Sequence, residues 1–480
     1  MSTTNTTETP EAPLRRGVYL LLIAIGVGAA LGRILAVDAV DRTALQEDRV
    51  KRKVADPAVS LRRPFLSAND RSRWCTVRAL VEPELRVEGA PYAIDKVILQ
   101  PNWDTIDMVK HDGHLYSSKP PLLSTLVAGE YWLLFRSTGM SLGTHPYQLG
   151  RFMLATINLG CLLLYFLAMA RLIERLGTTD WGRLYVMAAA VFGTLLTTFA
   201  VVLNNHLVAA ACGAMALELF LRIWWDGDRR RWVFALAGFF TAMLASNELP
   251  AAALSAAIGL LLLWKAPRRT LLAFAPAAAI VTLAFFGTNW IAHGSLKPAY
   301  MHRGGTDNWY DYTYDRADRK DIPSYWKNPN GIDRGEPSAV RYTLHSLLGH
   351  HGILSLTPIW LLSICGTLLW LRRGPDPRLR LLALVLGGVS LVCLAFYLWS
   401  PSVDRNYGGT SSGFRWVFWM APAWLVLMLP AADAVSGRRV ARAVALVLLA
   451  VSALSTTYPL WNPWTHPWLW DFMGFMGWRQ

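Results

Sequence analysis

GVYLLLIAIGVGAALGRILAV, residues 17–37, carries a single charge, Arg33, in a run long enough to cross a bilayer. It is long for a signal-peptide core and no small-residue cleavage site follows it, so it reads as a retained anchor. Runs of the same kind recur near 149–171, 183–203, 206–225, 232–248, 250–265, 270–292, 353–371, 380–399, 416–434 and 440–459. The expectation is an all-α polytopic membrane protein with about 11 transmembrane helices. A chain that is 53% hydrophobic with 22 tryptophans agrees with that class. Arginine gathers in the short hinges WDGDRRRW (225–232), WKAPRRT (264–270), LRRGPDPRLR (371–380) and SGRRVAR (436–442). By the positive-inside rule these hinges are cytoplasmic, which puts the N-terminus inside and the C-terminus outside. The net charge of +14 therefore belongs to membrane topology and argues against a nucleic-acid partner.

One apolar run, PLLSTLVAGEYWLLF (121–135), is short and holds Glu130. Were it to cross, RLIERLG (171–177) would move outside and the later charge pattern would invert, so an interfacial helix is expected. Two long extracytoplasmic loops follow, 38–120 and 293–352. Residues 1–14 are expected to be a disordered cytoplasmic tail, and 15–480 one membrane domain, since neither repeats nor linkers break it. Five cysteines form no CxxC pair, so neither a disulfide framework nor a thiolate metal site is supported.

In this topology the ten histidines and a set of span-end polar groups share the outer face. LNNH (203–206) supplies Asn205 and His206, SNELP (246–250) supplies Glu248, and RNYGGTSSGFR (405–415) supplies Tyr407 and Arg415. Polar side chains at the ends of spans are costly to bury and point to a shared outer cavity. Lys119, fixed by Pro120 and Pro121 at the start of an apolar helix, suits a phosphate diester whose lipid tail lies in the membrane. The plainer reading is a snorkelling lysine. Arg415 suits bidentate phosphate binding or, more simply, anchors a span end in the headgroups. Group transfer also needs a general base, and the first outer loop offers Asp95, Asp104, Asp107 and Asp112, of which Asp107 lies twelve residues before Lys119. No His-x3-His or His-Glu-x2-His spacing exists, so no metal site and no obligatory cofactor is expected, although the acid-rich loop leaves room for a divalent cation.

HLYSSKPPLL (114–123) resembles the Y-x-x-KPPL signature of bacterial GT-C glycosyltransferases, the group that holds the aminoarabinose transferases and relatives of the protein mannosyltransferases. The resemblance implies that Lys119 contacts the phosphate of a polyprenyl-phosphate-linked sugar and that Tyr116 belongs to the substrate pocket. NDRSRWCTVRALVE (69–82) stands where the family has an acidic residue opening an amphipathic helix, so Asp70 would be the catalytic base, with Asp107 its rival. Two positions depart from the pattern: Arg71 replaces the acidic neighbour of that aspartate, and Ser118 replaces an acid sometimes linked to metal. The implied activity is a hexosyl- or pentosyltransferase on the outer face of a bacterial inner membrane, acting on a glycan, lipid or protein acceptor amid membrane lipid. The alternative is a transporter or flippase of a lipid-linked saccharide, which would want polar groups through the bilayer; Glu218 is the one acid well inside a span.

Overall fold

The computed structural model describes residues 12–37, 65–316, 319–374, 376–459 and 461–478. Helix α1 (Ala12–Ala36) already begins inside the expected tail, whose residues 1–11 lie outside the described residues, as do 38–64 of the first outer loop. The chain is mainly helical. Among the described residues seven helices are long and apolar enough to cross a membrane: Pro13–Ala36, Pro146–Leu176, Asn205–Trp224, Pro267–His293, Pro377–Leu398, Arg415–Val435 and Arg439–Thr457. The chain is an integral membrane protein.

The other four expected spans are helical but shorter, and local chemistry explains two of them. Over 183–203, helix Asp180–Phe192 stops at Gly193, and a separate 3-10 turn, Thr198–Val201, follows. There Thr198 Oγ1 is drawn to the Thr456 carbonyl at 2.7 Å. Over 353–371, Pro358 disfavours helix at Thr357, so a single turn, Ile353–Leu356, precedes Trp360–Arg373. Arg231–Asn247 and Ala252–Lys265 are the remaining two.

Burial orders the bundle. The spans at Asn205–Trp224 and Arg415–Val435 have 83% of their apolar window inside the protein, against 22–28% for Pro13–Ala36, Pro267–His293, Pro377–Leu398 and Arg439–Thr457. The first pair is the centre, and the others turn apolar side chains outward, as helices in lipid do. Close approach at the centre uses a small residue: Gly366 faces the Leu427 carbonyl with no room for a Cβ.

Three elements set up the candidate site. Helix α2 (Ala68–Val81) is capped by Ser67, whose hydroxyl accepts from the Asp70 N–H at 3.1 Å. Strands β1 (Met108–His111) and β2 (His114–Ser117) pair antiparallel, with Met108 opposite Ser117 and His111 opposite His114. Asp112 and Gly113 turn the hairpin with φ of 47° and 84°, the left-handed pair that a two-residue loop requires. Helix α3 (Pro121–Thr138) then starts on Pro121 and ends at left-handed Gly139. This is the helix expected at the interface, and its Glu130 accepts from Thr156 Oγ1 at 2.5 Å.

Candidate active site

The hairpin register places Lys119 beside Asp107. The ladder runs one step past β2, with the Ser118 N–H donating to the Asp107 carbonyl at 3.2 Å. Lys119 Nζ lies 2.7 Å from Asp107 Oδ2, and Ser118 Oγ donates to Asp107 Oδ1 at 2.5 Å. Ser72 on α2 grips the same carbonyl at 2.6 Å and meets Ser117 Oγ at 2.5 Å, so the helix fixes the hairpin's base. Lys119 keeps 18% of its side chain exposed.

A second set of contacts joins elements far apart in sequence. Arg73, one turn after Asp70 on α2, donates to Asn69 Oδ1 at 2.7 Å and to Asn205 Oδ1 at 2.6 Å. Asn205 passes its amide N–H to Glu248 Oε1 at 2.7 Å, and the same oxygen meets His206 Nδ1. His206 Nε2 lies 2.9 Å from Arg415 NH1. A guanidinium can only donate, so Nε2 is the acceptor, the imidazole is neutral, and its proton sits on Nδ1 facing the Glu248 carboxylate. Asn204 caps the helix carrying Asn205 and His206, its Oδ1 accepting from the Leu207 N–H at 2.9 Å. A continuous chain therefore runs Arg73–Asn205–Glu248–His206–Arg415.

The charges of the two sets act on one another. Burial lowers Lys119 to about 8 against the pull of Asp107, and the charges of Arg73 and Arg415 push the same way. Arg73 falls to about 10, again chiefly by burial, with Asp107 opposing and Arg415 assisting. Burial works against the charge of Asp107, but Lys119, Ser118 and Arg73 outweigh it and hold the group below the ordinary carboxylate range. Three cations thus face two carboxylates, a setting built for an anion. Among the described residues no three His, Cys, Asp or Glu side chains converge as a ligand set.

Asp70 lies beneath this layer. It is 1% exposed, and its carboxylate accepts from Trp74 Nε1 and the Leu203 N–H at 3.0 Å each and from the Leu66 N–H at 3.3 Å. It thereby ties α2 to the turn that presents Asn204 and Asn205. Burial raises it to about 7, while these hydrogen bonds and Arg73 limit the rise.

Of the residues singled out in the sequence, Lys119, Asp107, Asn205, His206, Glu248 and Arg415 come together. Tyr116 points elsewhere, into an aromatic cluster where its ring meets His293 edge-on at 6.2 Å. Tyr407 stands one step back, with φ of 58° and its ring 4.9 Å from His350. Its neighbour Gly408 accepts from Arg415 Nε at 2.7 Å. Arg73 was missed; its signal was its place one turn after Asp70. Glu218, the acid inside a span, has Arg175 3.9 Å away.

No known sequence family matches the chain, and no curated protein does. Among solved structures it is similar to the Archaeoglobus fulgidus oligosaccharyltransferase in complex with Zn and sulfate, with a TM-score of 0.41 and 13% identity over 86% of this chain and 55% of that one. It is also similar to the oligosaccharyltransferase AglB of the same organism, held with an inhibitory peptide and a dolichol-phosphate, with a TM-score of 0.42 and 12% identity over 96% and 58%. The chain spans little more than half the length of either.

Proposed function

We propose that the chain is a GT-C-type glycosyltransferase that moves a sugar from a polyprenyl-phosphate-linked donor to an acceptor on the extracytoplasmic face, in a bacterial inner membrane. The observation that carries this reading is the cluster of Arg73, Lys119 and Arg415 gathered at the start of the membrane-spanning helix Arg415–Val435. A ligand that is half lipid and half anion explains cations placed there better than either half alone. Arg73, Lys119 and Arg415 neutralise the phosphate as the bond to the sugar breaks, which lowers the energy of the leaving group.

The donor phosphate competes with Asp107 for Lys119. Once Lys119 turns to the phosphate, Asp107 loses its ion pair and can accept the proton of the acceptor hydroxyl. Two observations support Asp107 in this role: it contacts the phosphate-binding lysine, and the oxygens of Asp70 are taken by main-chain and indole N–H groups. One observation favours Asp70 instead, its value near 7, which suits a base at neutral pH. Glu248 and His206 fix Arg415 and orient Asn205. The donor sugar is a hexose or pentose, and the acceptor a glycan, lipid or protein.

The test is label transfer from a mixed pool of radiolabelled polyprenyl-phosphate sugars in membranes carrying wild type, Asp107→Asn, Asp70→Asn or Lys119→Ala. Transfer by wild type that Lys119→Ala abolishes at equal abundance supports the reading, and loss in only one aspartate variant names the base. If no donor gives transfer while vesicle assays show lipid-linked sugar changing leaflet, the protein is a flippase and the reading fails.

A further inference from the structure

The segment after the last span reaches back over the candidate site. It leaves the helix Arg439–Thr457, and helix Trp468–Phe475 lies beside that helix's end. Two contacts pin it there: Trp468 Nε1 to Ser455 Oγ at 2.8 Å, and Tyr458 OH to Asp471 at 2.8 Å. A main-chain bond of 3.0 Å, from the Ser412 N–H to the Pro463 carbonyl, fastens it to the loop that carries Arg415.

Trp464 is the residue this places in the site. The Arg415 guanidinium lies 5.1 Å from the centre of its ring, within reach of a cation–π contact. Phe199 meets the same ring edge-on at 5.4 Å and is itself edge-on to His206 at 6.4 Å. Trp464 therefore shares neighbours with the phosphate-binding chain. Its indole N–H is buried and has no hydrogen-bond partner among the described residues. An indole can only donate, and a buried donor without an acceptor is costly to keep. An anion held by Arg415 would supply the acceptor.

We propose that Trp464 is a further binding residue of this site, holding Arg415 with its ring face and donating its N–H to an oxygen of the lipid phosphate. This rests on the phosphate reading above and makes the segment 461–478 a wall of the donor site. No covalent step is involved.

The experiment measures binding of undecaprenyl phosphate to the full chain, purified in detergent. Trp464→Phe keeps the ring and its packing on Phe199 but lacks the N–H, and should weaken binding about threefold to tenfold, the worth of one hydrogen bond. Trp464→Ala loses both and should weaken it about tenfold to a hundredfold. In an Arg415→Ala background the difference between the Phe and Ala variants should shrink to about twofold, since the cation is gone. Wild-type binding by Trp464→Phe would overturn the hydrogen bond, and an undiminished Phe-to-Ala difference without Arg415 would overturn the ring contact. Unchanged binding in Arg415→Ala alone would instead overturn the phosphate site itself.

Discussion

Replacing Asp107 with asparagine should tighten lipid-phosphate binding while abolishing turnover. The carboxylate and Lys119 Nζ are 2.7 Å apart, with side chains 10% and 18% exposed. Two unit charges at that distance, at an effective dielectric of about 20, attract by about 6 kcal/mol. Desolvation cancels most of this, and asparagine still accepts a hydrogen bond, so the net release is about 1–2 kcal/mol. A phosphate that must displace Lys119 from Asp107 in wild type avoids that cost in the variant. Affinity for undecaprenyl phosphate should rise roughly fivefold to thirtyfold. The assay is equilibrium binding to purified protein at low salt, with label transfer measured in parallel. A second arm uses Lys119→Met, which leaves the buried Asp107 without its closest cation and should cost about 3 kcal/mol of stability. Asp107→Asn in that background should recover much of the loss. If Asp107→Asn weakens binding, the carboxylate positions Lys119 for the phosphate and does not compete with it, and the account of a base released by substrate is refuted.

Three further outcomes follow from the geometry. Lys119 has been lowered by burial to about 8, so lipid-phosphate affinity should fall as pH rises through that value in wild type, while Lys119→Arg, which stays charged, should bind evenly to pH 9. Asp70 is raised from 3.8 to about 7, so its contribution to stability is present at low pH and is lost as pH rises through about 7; Asp70→Asn should flatten the thermal unfolding midpoint across that window. Gly113 holds φ of 84°, so Gly113→Val should cost about 1–2 kcal/mol in unfolding and should also weaken phosphate binding, because the hairpin delivers Lys119 to the site.

Much of this was legible in the sequence, for identifiable reasons. Apolar runs report spans because lipid demands them, and each of the eleven expected segments is helical. Four of them are shorter than the rest, two where Gly193 or Pro358 interrupts the helix. Lys119 was legible through its place before two prolines and an apolar helix and through the Y-x-x-KPPL resemblance, since position alone also suits a snorkelling lysine. The span-end groups Asn205, His206, Glu248 and Arg415 were legible as costly polar placements. Their mutual order was not, since it depends on which helices pack together.

The link between Asp107 and Lys119 was written as HDGH, an Asp-Gly turn whose register pairs the residues on either side. Counting outward from that turn would have put Asp107 opposite Ser118. Arg73 carries no motif of its own, and its guanidinium reaches Asn205, far away in sequence. Tyr116 was marked by its motif position alone, and strand alternation sends it to the face of Val109, away from Ser117.

The most direct test of the central claim is an experimental structure of the full chain with undecaprenyl phosphate bound. The phosphate should lie between Lys119, Arg73 and Arg415, with Lys119 Nζ turned from Asp107 onto a phosphate oxygen. A phosphate bound elsewhere, with the Lys119–Asp107 pair intact, would contradict it.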